Sequence, residues 1–269
     1  NRFKLEPFGL ADRVREINRR AVKLAREARE IAGRLLLVAG SVGPTGRTLE
    51  PFGVIAPELA RAAFREQIEA LLEGGVDLLV IETIGNLDEM VEAVTAAHEV
   101  SDLPIVASMT FAEDGRTIGG SSPEEVAERL LDLGVTVIGA NCSVGPQRLL
   151  PVAAALVHRL EEETSAPFVS CMPNAGWPSH VAGRVIYPSS AEYFADFARR
   201  AADAGIRIIG GCCGTTPVHT AAMREALDAW TASNGGSATN DGKRETAGKG
   251  RRARILTAPE LDLTPAEGP

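Results

Sequence analysis

The sequence predicts an α/β domain built on a parallel sheet. Short runs rich in Val, Ile and Leu, typical of buried parallel strands, alternate with glycine-rich turns and longer amphipathic stretches. This alternation is typical of βα units. The six predicted strands cover residues 35–39, 78–81, 105–109, 135–140, 168–172 and 206–210.

Helix signals agree with this alternation. Ser122 and Ser190 each stand at a predicted N-cap before an acidic first turn, whereas Gly134 and Gly205 follow predicted helix ends. Apolar residues in segment 9–32 recur at spacings of three and four, which predicts a helix before the first strand. Such a helix indicates that the strand belonging to it lies outside this chain. Six parallel strands fit either an open doubly wound sheet or six of the eight strands of a (β/α)8 barrel.

Composition narrows the classes of partner. The chain has 269 residues, of which 45% are hydrophobic, enough for one large core. Its net charge of −8 argues against nucleic acid as a partner, so we expect a small-molecule substrate. No apolar run is long enough to span a membrane, so we expect a cytoplasmic protein.

The predicted domain covers residues 1–230. Residues 231–269 begin with a stretch rich in Gly, Ser, Asn and Thr, which predicts a flexible linker toward a further domain.

Three cysteines indicate a metal site. Cys142, Cys212 and Cys213 follow predicted strands in glycine-rich turns, at the edge of a parallel sheet where active sites lie. Three thiols without a fourth Cys or His nearby are typical of a catalytic zinc site, which keeps one position open. Cys171 lies inside an apolar run, so we expect a small buried core residue there.

Four motifs carry a family resemblance over residues 1–229. GGCCG at 210–214, GANC at 139–142, VAGSVGPTG at 38–46 and VIET at 80–83 together resemble the homocysteine S-methyltransferase family. The resemblance implies a (β/α)8 TIM-type barrel, with about six of its eight strands in this chain. It also implies zinc-dependent transfer of a methyl group to the thiol of homocysteine, which gives methionine.

The resemblance also implies roles for individual residues. Glu82 is the predicted catalytic residue and holds the α-ammonium group of homocysteine. The betaine-using members carry an aromatic residue where Thr83 stands, which argues against betaine as the donor. The donor stays open: methylcobalamin or a folate bound by other domains of a longer protein, a methylated sulfonium, or a betaine. The predicted zinc ligands are Cys142, Cys212 and Cys213, and the predicted substrate-binding residues are Glu82, Thr83 and Ser41.

Two other functional classes stay open. The family's first two strands, whose glycine-rich segment also helps to bind homocysteine, are not in this chain, so we expect the chain alone to be inactive. One rival interpretation is therefore a non-catalytic partial barrel or a structural zinc module. The other is a different zinc enzyme such as a hydrolase, which is disfavoured because no general base stands near the cysteine motifs.

Overall fold

A computed structural model describes residues 1–181 and 183–234 of the chain. Most of the predicted linker, from residue 235 onward, lies outside the described residues. Residues 231–234 belong instead to the last helix, Pro217–Asn234, which therefore runs past the predicted domain boundary at residue 230.

The described residues contain eight strands and eight α-helices. The strands are β1 (Ala39–Val42), β2 (Leu78–Ile84), β3 (Ile105–Met109), β4 (Val137–Asn141), β5 (Phe168–Met172), β6 (Ser179–Val181), β7 (Arg184–Ile186) and β8 (Ile208–Ile209). The helices are α1 (Arg2–Leu5), α2 (Val14–Ala32), α3 (Pro57–Gly74), α4 (Leu87–Val100), α5 (Pro123–Asp132), α6 (Pro146–Leu160), α7 (Ala191–Asp203) and α8 (Pro217–Asn234). None of these helices has both the length and the apolar character of a bilayer-spanning segment.

The order of the strands distinguishes the two predicted architectures. Within the described residues, six strands form one parallel sheet in the order β1-β2-β3-β4-β5-β8, while β6 and β7 form a separate antiparallel pair. Each strand of the main sheet therefore lies beside the next one along the chain. A doubly wound sheet reverses its winding at a switch point, whereas a (β/α)8 barrel winds in one direction. The topology confirms the barrel type, with six of its strands present here.

Helix ends follow the predicted signals. Ser122 and Glu125 form a reciprocal capping box at the start of α5, and the Ser190 side chain accepts a hydrogen bond from Tyr193 N in α7. Gly134 and Gly205 take left-handed φ values of 70° and 83° after α5 and α7. Such backbone conformations satisfy the free polar groups at helix termini and align each helix against its strand.

The outer two strands differ from their predicted ranges. The run at 35–39 was predicted as a strand, but pairing with β2 begins only where Ala39 faces Leu78. Residues 35–37 precede that register and are exposed, with Leu35 at 69%. At the opposite edge, the predicted run 206–210 contributes only Ile208–Ile209, because the chain then turns and donates Cys212 N–H to the carbonyl of Pro173.

Small side chains fill one face of the sheet below the functional residues. Ser108, Gly139 and Ser170 are register partners on β3, β4 and β5. An added Cβ on Gly139 would collide with Ser170 Oγ and lie 3.0 Å from Ser108 Oγ, so all three point to the same side. Since side chains alternate along a strand, Asn141 projects from this face two residues further along β4.

We expect Gly139→Ala to lower the free energy of unfolding by about 1 to 3 kcal/mol, as overpacked cores do. Replacing Ser170 by Ala in the same chain should recover part of that loss, because the colliding hydroxyl is gone. Denaturant unfolding measures both effects. Gly43→Ala is the matched control, since nothing lies within 4 Å of its added Cβ. Equal losses at Gly139 and Gly43 would contradict this packing account.

Candidate metal and substrate site

Three thiols meet where β4 and β8 end. Cys142 directly follows β4, and Cys212 and Cys213 follow β8 after two glycines. Their sulfur atoms all lie within 4.8 Å of one another, and Cys142 Sγ is 3.7 Å from Cys213 Sγ. Residues 71 positions apart in the sequence are thus brought into contact by the sheet. The structure assembles all three cysteines that the sequence singled out.

Backbone turns after β4 and β8 orient the three cysteine side chains. Cys142 and Ser143 take left-handed φ values of 61° and 59°, which stop β4 and turn the chain. The Cys142 N–H still donates to Met172 O at 3.0 Å, so the turn remains attached to β5. On the other side, a Cβ on Gly211 would collide with Thr215, whose hydroxyl donates to Cys212 O at 2.7 Å. This close approach is possible because Gly211 has no side chain.

Asn174 is a further residue at the thiol cluster, and it was not among the predicted site residues. Its side-chain oxygen accepts a hydrogen bond of 3.1 Å from Cys213 N–H, and the residue is only 5% exposed. A hydrogen bond from its side chain is also one of the influences that lower the pKa of Cys142. The available signal was its position: Asn174 lies two residues after β5, at the same edge of the sheet as the thiols.

The thiols differ in their proton affinity. A hydrogen bond from the Cys212 thiol lowers the pKa of Cys142 to about 5, and the same interaction raises the pKa of Cys212. Burial is the main influence that raises the pKa of Cys213. The cluster therefore favours one thiolate that its neighbours stabilise by hydrogen bonding. Cys171 is a buried core residue, as predicted, and its full burial raises the pKa of its thiol.

The sulfur spacing fits a shared metal ion. Two sulfurs bound at about 2.3 Å to one tetrahedral ion are about 3.8 Å apart. The 3.7 Å between Cys142 Sγ and Cys213 Sγ matches that spacing. Soft thiolate donors favour zinc and similar ions over magnesium or calcium. Cys142, Cys212 and Cys213 are therefore the residues suited to hold a metal.

The predicted substrate-binding residues lie on β1 and β2, which β3 separates from β4. Ser41 on β1 donates a hydrogen bond of 2.7 Å to Glu82 Oε1 on β2, and Glu82 is only partly buried. Thr83 is held by Asn141, whose Nδ2 donates to the Thr83 hydroxyl at 2.8 Å. The same Nδ2 lies 3.9 Å from Cys212 Sγ. Asn141 thus connects the predicted substrate-binding strand with the thiol cluster.

His219 does not join the thiol cluster, although it follows the cysteine pair closely in the sequence. Its Nδ1 lies 2.9 Å from Thr216 Oγ1, and its Nε2 lies 3.0 Å from the carbonyl oxygen of Ser189. The ring also packs edge-on against Phe194 of α7. His219 therefore ties the start of α8 to the segment before α7.

Comparisons with known proteins give consistent results. The family model described as homocysteine S-methyltransferase matches residues 1–227. Methionine synthase of Mycobacterium tuberculosis is 30% identical over 236 residues, and that of Mycobacterium leprae is 30% identical over 246 residues. These matches cover 84% and 88% of this chain but 19% and 20% of the relatives, so the chain spans about a fifth of their length.

Solved structures show the same similarity. The apo form of the homocysteine methyltransferase MmuM from Escherichia coli matches with a TM-score of 0.64 and 27% identity, covering 79% of this chain and 74% of that one. Its metallated form matches with the same TM-score and 26% identity, covering 78% of this chain and 70% of that one.

Proposed function

Because the chain belongs to the homocysteine S-methyltransferase family, we propose that, as part of a longer protein, it transfers a methyl group to the thiol of homocysteine, forming methionine. The observation that carries this proposal is the cluster of three thiols, whose sulfurs lie within 4.8 Å of one another at the carboxyl ends of the strands. Glu82 near the end of β2 offers an anionic partner for the amino group of an amino acid. A thiol-binding centre and a carboxylate in the same sheet suit an amino acid that itself carries a thiol.

Zinc is the proposed ion, held by Cys142, Cys212 and Cys213. When bound, it supplies a Lewis acid that lowers the pKa of a substrate thiol, while three thiolate ligands keep the bound sulfur nucleophilic. The soft donor set and the sulfur spacing support zinc. The similar Escherichia coli enzyme has a metallated form, which supports a metal in this chain.

The chain's own residues orient the substrate. The Glu82 carboxylate is proposed to bind the α-ammonium group, and the 2.7 Å bond from Ser41 holds that carboxylate in place. Thr83 stands beside it as the third proposed substrate-binding residue. With the ammonium group fixed, the thiol reaches toward the cysteines and releases its proton to solvent. Its sulfur then attacks the donor methyl in line, and the donor departs with the electrons of the broken bond.

The methyl donor and further domains are also part of the proposal. We propose methylcobalamin or a folate as the donor, bound by other domains of a longer protein, and the methionine synthases that are about five times longer than the matched region support this. The cytoplasm is the proposed location, because metal-binding thiols persist in a reducing compartment. All four cysteines, which lie within the described residues, are free.

We expect the zinc-loaded chain to hold one zinc ion, and Cys212→Ser or Cys213→Ser each to remove most of it. Serine is a poor zinc ligand compared with a thiolate, so two remaining sulfurs bind the ion weakly. Elemental analysis after dialysis measures the zinc content. Cys171→Ser is the matched control and should keep full occupancy, because this thiol is buried away from the cluster. Full zinc retention in both cluster variants would exclude the proposed ligand set.

Glu82→Gln should leave zinc in place and weaken homocysteine binding. A charge-assisted hydrogen bond contributes about 1.5 to 3 kcal/mol, which corresponds to a loss of roughly 10- to 150-fold in affinity. Isothermal titration with homocysteine measures this loss. A thiol of similar length without the amino group should bind both proteins almost equally, because the lost charge has no partner in it.

Glu113→Gln is the control for this experiment, since Glu113 is an exposed carboxylate in the loop after β3. Its affinity for homocysteine should not change. An equal loss for both thiols in Glu82→Gln would assign Glu82 to the metal or to the fold. A hydrolase that activates water would show no dependence of homocysteine affinity on Glu82, and a structural zinc module would bind neither thiol.

A further inference from the structure

The β2 strand contains an irregularity at its functional end. In its pairing with β3, Ile81 faces Ala107, but the next aligned pair is Ile84 with Met109. Three steps along β2 therefore match two steps along β3, so β2 carries one extra residue there. This is a β-bulge, a feature that redirects side chains at the edges of active sites. Glu82 and Thr83 are the two residues inside it.

Thr83 holds this bulge in an unfavourable backbone conformation. Its φ is 63°, in the left-handed region. A β-branched residue is a genuine outlier there, and such a conformation costs about 1 to 3 kcal/mol. Strain of this size persists only when surrounding contacts stabilise it. The bulge therefore needs a partner that holds Thr83 in place.

Asn141 is that partner. It lies on β4, two strands away from β2, and is fully buried. Its Oδ1 accepts the Thr83 N–H at 3.0 Å, and its Nδ2 donates to the Thr83 hydroxyl at 2.8 Å. One amide thus binds both the backbone and the side chain of the strained residue. This bidentate arrangement fixes the orientation of the bulge as well as its position.

The same amide faces the thiols. Asn141 Nδ2 lies 3.9 Å from Cys212 Sγ, and Asn141 directly precedes Cys142 in the chain. A displacement of Asn141 would therefore move a metal ligand and the bulge together.

We propose that Asn141 is a positioning residue: by clamping Thr83 in its left-handed conformation, it sets the direction of Glu82 relative to the three thiols. The inference rests on the proposed function for the role of Glu82, but the clamp itself is a property of the fold. It fixes the separation between the ammonium-binding carboxylate and the thiol-binding centre. The clamp would thereby select thiols whose amino group lies at the matching distance.

A glycine substitution tests whether Asn141 is needed to hold residue 83 at a positive φ. Glycine adopts a left-handed φ without steric cost, so Thr83→Gly removes the need for a clamp. Asn141→Ala removes both buried hydrogen bonds to Thr83 and leaves its left-handed conformation without support. It should therefore raise the unfolding equilibrium constant and weaken homocysteine affinity, each by about 5- to 150-fold. In the Thr83→Gly background, the same substitution should have an effect at least about fivefold smaller.

The experiment compares the parent chain, the two single variants and the double variant in the zinc-loaded protein. Denaturant unfolding and homocysteine titration are measured for all four. Asn18→Ala is the control, because Asn18 also makes two side-chain hydrogen bonds, to Val14 O and with Gln67, yet lies on α2 away from the site. Its effect should be the same in both Thr83 and Thr83→Gly backgrounds.

The outcomes separate the clamp from the proposed function. Rescue of both unfolding and homocysteine affinity by Thr83→Gly supports the clamp and its effect on Glu82. If Thr83→Gly reduces the loss of stability caused by Asn141→Ala, but the parent chain does not bind homocysteine, the clamp is supported and the proposed function is contradicted. The clamp is overturned if the double variant stays unfolded, or if it loses as much relative to Thr83→Gly as Asn141→Ala loses relative to the parent chain.

Discussion

The hydrogen-bond register of β4, β5 and β8 determines where the thiols lie. Because Asn141 pairs with Met172 and Cys171 pairs with Ile209, the three strands end at the same level of the sheet. The residues that follow these ends are therefore neighbours, although they are far apart in the sequence. A shift of one residue in either pairing would turn every side chain of that strand to the opposite face and separate the cysteines.

Two residues at the functional edge of the sheet depart from regular strand geometry. Thr83 and Cys142 both take left-handed conformations where their strands end, and Asn141 lies between them in space. The regular part of the sheet supplies buried packing, with Ile81, Ile138 and Cys171 all inaccessible to solvent. Strain is thus confined to the rim, where a rigid sheet stabilises it. This division explains how one fold holds both a carboxylate and a thiol cluster in defined positions.

The sequence predicted those features whose signals are local. The apolar runs located the inner strands, and the glycine-flanked cysteines identified the thiol cluster because adjacent thiols have few structural uses. Leu35 was misplaced into a strand, since an exposed apolar run has the same pattern as a buried one. The β6–β7 pair was missed because its strands are short and because Val185 and Ile186 on β7 are exposed.

Contacts between distant strands could not be predicted in the same way. The bulge at Glu82 depends on how β2 aligns with β3, and the Asn141 clamp joins residues 58 positions apart. The local sequence around Thr83 does not predict a left-handed conformation, because β-branched residues normally favour extended strands. Asn174 was overlooked for the same reason: its contact with Cys213 appears only when β5 and β8 are paired.

X-ray absorption at the zinc edge tests the central claim most directly, because it counts the sulfur neighbours of the metal. For the zinc-loaded chain, we predict three sulfurs at about 2.3 Å, contributed by Cys142, Cys212 and Cys213. Addition of homocysteine should raise the count to four. Fewer than three sulfurs in the chain alone, or a count that homocysteine does not change, would contradict the assignment of this cluster as the thiol-activating centre.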